Sequence, residues 1–288
     1  MTVLKSKELD IAIVGAGTLG TALAYALHQS GYRVTEIVTR DQPHSLRRAR
    51  VFANRLHASA ITLSKAQLSA RITWICVPDD SISEVAQNIA KRRDWRRKIV
   101  LHSSGALGSG ALAGAKEAGA ETASAHPLMT FVAQSSVNFK GVPFAIEGDP
   151  QALAVIGAVV GRLGGRPFRI AAQFKPAYHA FGFFSSPALV ALIAAAQQVG
   201  KMAGLGERQA RDLMEPIVRQ TIDNCFRSTP QEAFSGPLRR GDLATIRKHL
   251  EVLKQQPNLR ELYRALGHIA LQHLPLGNVD EMKKLIGP

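Results

Sequence analysis

The stretch Ile11-Ala12-Ile13-Val14-Gly15-Ala16-Gly17-Thr18-Leu19-Gly20 decides the fold. Four apolar, largely β-forming residues run straight into G-x-G-x-x-G, and an amphipathic helical pattern, Thr18–Gln29, follows at once. The spacing has a physical reading. The first glycine permits a tight turn, the second lets backbone approach a pyrophosphate, and the third lets the helix pack against the strand. The helix start adds unpaired N–H groups and the positive end of its dipole, both favourable to an anion. Set after a strand and before a helix, the motif predicts a dinucleotide site built by Gly15, Ala16, Gly17, Thr18, Leu19 and Gly20.

Working outward, β-like runs alternate with helical ones. Strands are expected at Asp10–Val14, Arg33–Val38, Ile72–Val77, Lys98–His102, Thr122–Ala125 and Pro143–Glu147. Helices are expected at Thr18–Gln29, Ile82–Ala90, Ala106–Glu117 and Gln151–Leu163. This order gives βαβ units, a mostly parallel doubly wound sheet, and ligands at the carboxyl ends of its strands. Past Ile170 no strand is expected. The chain reads as helices near 174–204, 207–226, 242–255 and 258–273, broken at Gly204–Gly206, Ser228–Pro230, Gly236-Pro237 and Pro257. The fold class is therefore α/β, an N-terminal dinucleotide-binding domain at 1–168 followed by an all-α domain at 169–288.

The end of the second strand bears on the choice of dinucleotide. An NAD site places an acidic residue about 20 positions on, for the ribose 2′-hydroxyl. Here Thr39 and Arg40 occupy that corner. A hydroxyl and a guanidinium suit a 2′-phosphate, with Arg47 and Arg48 one turn into the next expected helix, so NADP is expected. Asp41 is the alternative acceptor, should the register slip. Val77 and Pro78, ending the next strand, would flank the dinucleotide with backbone, and Asp79 and Asp80 read as helix-start residues.

Two clusters are expected at the same edge: His102-Ser103-Ser104-Gly105 and Ser124-Ala125-His126-Pro127. Ser103 and Ser104 can anchor a substrate carbonyl or carboxylate, or cap the segment starting near Ala106. His126 titrates near neutrality when unperturbed and can move the proton that accompanies hydride transfer. Lys175 and His179 lie four apart and so share a helix face. A partly desolvated lysine there can bind or protonate a carbonyl oxygen.

Composition narrows the class further. Hydrophobic residues make up 46% of the 288 and charged residues 20%, which excludes general disorder. Cys76 and Cys225 form no CxxC pair, so neither a disulfide framework nor a cysteine zinc site is expected, and a reducing, cytoplasmic setting fits. No metal site is expected from the nine histidines. The opening MTVLKSKELD has no apolar core of a secretory signal. The most apolar stretch, Phe181–Ala196, is broken by Gly182, Ser185, Ser186 and Pro187; at under about 20 residues it reads as a buried helix, not a membrane span.

The net charge of +14 raises a nucleic-acid partner. Its densest cluster, Lys91–Lys98, holds six basic residues in eight around Trp95. It closes a helix, where cations complement the dipole, and points to the edge opposite the Gly turn. A solvated helix end is the expectation, and no nucleic-acid reader motif accompanies it. Gly236-Pro237-Leu238-Arg239-Arg240-Gly241-Asp242 reads as a turn with Asp242 as the next helix's N-cap; its arginines are alternatives for an acidic group.

With these residues in place the chain resembles a bacterial family of Rossmann-like oxidoreductases carrying a helical C-terminal domain of unknown function. The family is related to the 6-phosphogluconate dehydrogenase and pyrroline-5-carboxylate reductase superfamily. The stretches that carry the likeness are GAGTLG at 15–20, VPDD at 77–80, HSSGAL at 102–107, HPLMTF at 126–131, FAIEGD at 144–149, KPAYHA at 175–180 and SGPLRRGDLATIRKHL at 235–250. The resemblance implies a Rossmann-type sheet with a 6-phosphogluconate dehydrogenase C-terminal-like helical domain. It implies NADP on Gly15, Gly17, Gly20 and the Thr39-Arg40 corner, and a homodimer through the helices. It also implies that Lys175 matches a catalytic helix-start lysine, and that His126-Pro127 is similar to the His-Pro of prephenate dehydrogenases. The chain departs from the pattern at His179, where an amide residue is usual, and at Ser185-Ser186, where Ser-Asn is common. A non-catalytic NADP-binding protein is the alternative to an enzyme acting on a small polar carbonyl, imine or hydroxyacid.

Overall fold

The structure, a computed structural model, describes residues 9–131 and 137–287. The reading of the extreme N-terminus therefore lies largely outside the described residues. Strand β1 (Asp10–Val14) is followed by α1 (Thr18–Gln29), β2 (Arg33–Thr39), α2 (Pro43–Arg55), β3 (Ser59–Thr62), β4 (Ile72–Ile75) and α3 (Asp79–Ala90). Then come β5 (Ile99–His102), α4 (Ala113–Glu117), β6 (Glu121–Pro127), β7 (Pro143–Gly148), α5 (Pro150–Arg162), β8 (Arg166–Arg169) and α6 (Lys175–Ser185). The eight strands form one sheet in the order β3-β2-β1-β4-β5-β6-β7-β8. All neighbours are parallel except β6 and β7, which pair antiparallel. The order reverses at β1/β4, and that switch point is where the Gly turn lies.

Both faces of the sheet are buried, as a mostly parallel sheet requires. Ile11, Ile13, Leu23, Leu27, Ile37, Trp74, Leu101, Phe144 and Ile156 pack on one side; Ala12, Val14, Ile75, Ile82, Ile89, Trp95, Val100 and Leu112 pack on the other. Alternate residues of β1 thus feed different cores, which explains why the strand is apolar throughout.

The helix expected over Ala106–Glu117 is shorter. Residues 106–108 form a turn held by Ser104, whose Oγ accepts from the N–H groups of Ala106 (3.1 Å) and Leu107 (2.9 Å). A single 3₁₀ turn, Ser109–Leu112, then leads into α4. Glu147 explains the delay, because it binds both the backbone N–H and the hydroxyl of Ser109.

The chain divides into two compact units, the first ending at Pro187 and the second starting at Ala188. Helix α6, which composition alone placed with the helices after 168, belongs to the sheet unit. The second unit contains α7 (Pro187–Met202, its first residue at the boundary), α8 (Glu207–Arg227), α9 (Pro230–Ala233), α10 (Pro237–Arg240), α11 (Leu243–Val252), α12 (Pro257–His273) and α13 (Val279–Ile286). Its core is small: Ile246, Leu250, Met282 and Ile286, with Leu243, Tyr263 and Leu271 against them. Asp242 caps α11 through the Thr245 N–H, and Gly241 takes the left-handed conformation (φ 70°) that closes α10. Arg239 is held in this turn by the Pro275 carbonyl, so the segment is a structural turn in the described chain.

The apolar run at 172–202 is not buried. It has the length and composition to cross a membrane, with a mean hydropathy of 1.6, and none of its most apolar window is covered by this chain. The expectation of a buried helix is corrected on that point. Phe181, Phe183, Phe184 and Val190 stand exposed.

Candidate active site

The Gly turn leaves β1 with the Gly15 N–H bonded to the Val38 carbonyl at 2.8 Å. Gly15 has φ +110°, and a Cβ there would lie 2.4 Å from the Cys76 carbonyl oxygen. A Cβ on Gly20 would lie 1.9 Å from the Gly15 carbonyl oxygen, so the helix can sit against the turn only as glycine. Gly17 differs from both. It is the N-cap of α1, and a Cβ on it would meet no protein atom within 4 Å. Two glycines are thus required by packing, and the third keeps the helix start bare, as close approach of a pyrophosphate demands. Ala16, Thr18 and Leu19 complete the turn, and Val77 flanks it with Cγ1 3.1 Å from the Gly15 Cβ position. The residues present fit a dinucleotide.

At the end of β2, Thr39 is mostly buried and donates its hydroxyl to the Arg40 carbonyl at 3.1 Å, while Arg40 is exposed. The Asp41 carboxylate is engaged by the hydroxyl and backbone N–H of Ser64, and the Ser64 hydroxyl holds it below the usual carboxylate range. Asp41 is therefore taken up by the β3 side of the corner. Arg40 is exposed beside Thr39 with no ion pair among the described residues, and Arg47 and Arg48 lie on α2.

The strands beside β1 carry the second half of the site. At the end of β5, Ser103 is buried and its Oγ accepts from Trp74 Nε1 at 2.7 Å. Ser104 donates its hydroxyl to Asp79 at 2.7 Å while holding the 106–107 turn. Both hydroxyls, read from sequence as substrate anchors, are thus engaged by the protein itself. His102 is buried, with Nε2 3.0 Å from the Gly108 carbonyl and Nδ1 accepting from the Ser104 N–H at 3.1 Å. That pairing fixes one neutral tautomer, and burial lowers the imidazole's pKa.

Lys175 begins α6 and is fully buried. Its Nζ donates to the Ser104 carbonyl and to Ser124 Oγ, both at 3.0 Å. Ser124 in turn lies 3.5 Å from Glu147 Oε2 across the antiparallel β6–β7 pair, in which the two residues face each other. Burial pushes the Lys175 ammonium below the usual lysine range, and Glu147 and Asp79 oppose the shift. Its place at a helix start, where the dipole is positive, works in the same downward direction.

His126 stands two residues beyond Ser124 on the same strand face. Its Nδ1 lies 3.0 Å from the Tyr178 hydroxyl, and its ring meets those of Tyr178 and His179 edge-on. The spacing of Lys175, Tyr178 and His179 along α6 puts all three on one face. A Cβ on Gly105 would lie 2.9 Å from His126 Nε2 and 2.7 Å from His179 Cδ2, so this glycine lets the imidazoles close over the β5 end. Burial, then the charge of Lys175 and His179, lowers the His126 pKa to about 4, while burial raises that of Tyr178 to about 12. At neutral pH the pair is uncharged and shares one mobile proton. Sequence reasoning singled out Lys175, His126 and His179, placed Ser124 at the edge without a role, and passed over Tyr178 and Glu147. The periodicity of KPAYHA could have found Tyr178; only the β6–β7 register reveals the Ser124–Glu147 contact.

If Lys175 helps to hold His126 neutral, Lys175→Met should raise the His126 titration midpoint above its value of about 4. An NMR titration of the imidazole reads this directly. A midpoint that stays put would remove Lys175 as the charged neighbour.

A Gly turn at the switch point of a mostly parallel sheet, with proton-bearing side chains at the adjoining strand ends, defines a dinucleotide-binding α/β protein. Two family models match the chain: a Rossmann-like domain over residues 2–127 and a domain of unknown function, DUF2520, over 142–269. The chain thus carries a Rossmann-like domain followed by a DUF2520 domain, and the two matches together span most of its length. Among solved structures it is similar to a Bacteroides fragilis protein provisionally assigned as an NADP oxidoreductase, at 25% identity and TM-score 0.76, covering 91% of this chain and 97% of that one. It is similar in fold to an imine reductase from Myxococcus stipitatus in complex with NADP+, at 16% identity and TM-score 0.70, covering 96% and 100%. A reductive aminase from Aspergillus terreus in complex with NADPH4, cyclohexanone and allyl amine matches at 14% identity and TM-score 0.67, covering 98% and 100%. No curated protein matches the chain.

Proposed function

We propose that the protein is a cytoplasmic NADP(H)-dependent oxidoreductase that passes hydride to or from a small polar carbonyl, imine or hydroxyacid. The observation that carries this reading is a contiguous path along one sheet edge. The bare Gly17 turn adjoins Cys76 at the β4 end, Cys76 adjoins Ser103, and Gly105 adjoins His126. A dinucleotide with its pyrophosphate on α1 would extend toward β5 and β6, where His126 and Tyr178 wait. Likeness to NADP-bound reductases of the same fold supports the cofactor, and the engagement of Asp41 by Ser64 favours a 2′-phosphate on Thr39 and Arg40 over a free 2′-hydroxyl. Bound there, the nicotinamide would supply or accept the hydride.

This chain's own residues then handle the proton. Tyr178 and His126 present it to the substrate oxygen or nitrogen, with His179 at the mouth. Lys175 is a positioning residue. It ties α6 to the Ser104 carbonyl and Ser124, and its charge helps to keep His126 neutral. Ser103 and Ser104 set the β5 end and do not touch substrate. The burial of Lys175 also favours a second reading, a non-catalytic NADP-binding protein. NADPH binding without oxidation across a panel of ketoacids, imines and aldehydes would select it.

The helical unit gives the expected homodimer its surface. Val190, Val199, Leu213, Ile217, Phe226, Leu266 and Ile269 of α7, α8 and α12 are exposed beside a small buried core, and a second copy would cover them. Light scattering should give twice the chain mass; a monomer overturns this part.

Arg40→Ala tests the cofactor assignment. Losing a charged hydrogen-bond donor to the 2′-phosphate should weaken NADPH by about tenfold or more and leave NADH nearly unchanged. Equal losses for both would assign Arg40 to a general rather than a 2′-phosphate role.

A further inference from the structure

The basic run at 91–98 takes no part in the site above; as expected it follows the end of α3 and is mostly exposed, yet several of its side chains are tied down. Trp95 is fully buried and donates Nε1 to the Ile89 carbonyl at 3.1 Å, so it offers no face to a nucleic-acid base. Arg92 donates to the Ser64 carbonyl at 2.9 Å, and Arg93 to those of Gln67 (3.1 Å) and Leu68 (2.8 Å). Lys98 Nζ donates to the carbonyls of Ser69 (2.7 Å) and Ala70 (2.8 Å). These bonds fasten the run to the loop before β4 and make a fixed rim. Beside the rim lies a shallow, open depression of about 340 Å³ lined by Asp10, Ser69, Arg71, Arg96, Arg97 and Lys98.

The charges in this depression do not balance. Asp10 is paired with Arg33, and Arg96 with Asp94. Among the described residues Arg71, Arg97 and Lys98 have no ion-pair partner, and Arg71 Nε is buried without a hydrogen-bond partner. Burial, with Arg93 and Arg71 close by, lowers the Lys98 pKa, as expected of cations held together. The two segments that form the walls each contain a non-glycine residue in the left-handed region, Leu68 at φ 51° and Arg97 at φ 63°. Glycine would adopt that conformation more easily. At Arg97 the chain instead keeps a guanidinium on the depression.

We propose that this depression binds a small polyanion carrying at least two adjacent phosphate groups. Guanidinium forks suit phosphate oxygens, and a depression of this size, with its unpaired cations gathered at one spot, suits a small anion better than a duplex, which needs an extended row of cations. The site is separate from the Gly turn. It lies at the amino ends of β1, β4 and β5, with roughly 15 Å of strand between it and the carboxyl edge.

The test is calorimetric titration of the full chain with inorganic pyrophosphate at physiological salt, using wild type, Arg97→Gly and Gly17→Ala. Glycine at 97 relieves the left-handed strain, so that variant should fold at least as stably as wild type. A pyrophosphate-binding event is expected whose affinity is kept in Gly17→Ala and weakened about tenfold or more in Arg97→Gly. Unchanged affinity in Arg97→Gly, or loss only in Gly17→Ala, would overturn the proposal by moving the anion elsewhere. A short DNA duplex that binds more tightly than pyrophosphate, and that depends on Arg97, would overturn it in favour of nucleic acid.

Discussion

His126→Ala is expected to lower turnover by about 100-fold or more while leaving NADPH affinity within about twofold, because a positioned proton donor contributes about 10²–10⁴ to rate. Tyr178→Phe should follow the same pattern, since it removes the hydroxyl 3.0 Å from Nδ1 and leaves the ring. The two losses should be far from additive if the residues act as one proton-carrying pair. The pH dependence is a further signature. A free histidine would give an acid limb near 6.5, whereas His126, lowered to about 4, should leave the rate flat through pH 6 with the limb displaced toward that value. Folding stability changes over the same interval. Between pH 6.5 and 4 the unfolded chain takes up a proton that the folded imidazole refuses, so stability falls as the pH drops, by up to about 3 kcal/mol. Above 6.5 this group contributes nothing. Normal turnover in both variants, measured on a substrate the wild type reduces, would remove the pair from the mechanism.

The second large effect separates the glycines of the turn by what each one loses. Gly20→Ala puts a Cβ 1.9 Å from the Gly15 carbonyl oxygen, backbone that cannot step aside. Destabilisation of about 2–4 kcal/mol is expected, a fall in Tm on the order of 10 °C. Gly15→Ala should behave similarly, since it adds a 2.4 Å approach to the Cys76 carbonyl oxygen and φ +110°. Gly17→Ala should do the opposite. Its methyl meets no protein atom within 4 Å, so stability changes by at most about 1 kcal/mol, while NADPH affinity drops about tenfold or more as the pyrophosphate loses its close approach. Thermal melts and NADPH titrations on the same three variants distinguish the roles. Equal melting losses in all three would mean that Gly17 is packed like its neighbours and that the bare helix start has another explanation.

The parts of this fold that were legible in sequence are those whose reasons are local. β1, α1 and the turn between them follow from four apolar residues, three spaced glycines and a helical period, and their bounds match the structure. Where the reasons are tertiary, sequence reading fell short. β3 is a four-residue edge strand and β8, Arg-Pro-Phe-Arg, has no alternation; both exist through pairing with β2 and β7. Helix α2 was legible only as the helix that carries Arg47 and Arg48; its bounds were not, because its surface is dense in arginine, although Pro43 at its start is a usual helix signal. α4 was read too long because Glu147, distant in sequence, captures Ser109 and Gly108 lies beside it.

The site divides in the same way. The glycines, Thr39-Arg40, His126, Lys175 and His179 were legible from residue type and spacing. What sequence could not supply was how they are engaged. Ser103 and Ser104 look like free hydroxyls at a strand end, yet Trp74 and Asp79 claim them. Lys175 looks like a cleft lysine, yet it is sealed beneath α6 with two hydrogens on protein acceptors. Tyr178, lying between two more conspicuous residues, takes the place beside His126.

The most direct test of the central claim is a fluorescence titration of the pure protein with NADPH and, in parallel, NADH. The account predicts saturable NADPH binding, one per chain, at least about tenfold tighter than NADH, the difference a charged contact to the 2′-phosphate supplies. Binding of neither would contradict it and leave the bare helix start at Gly17 without a ligand.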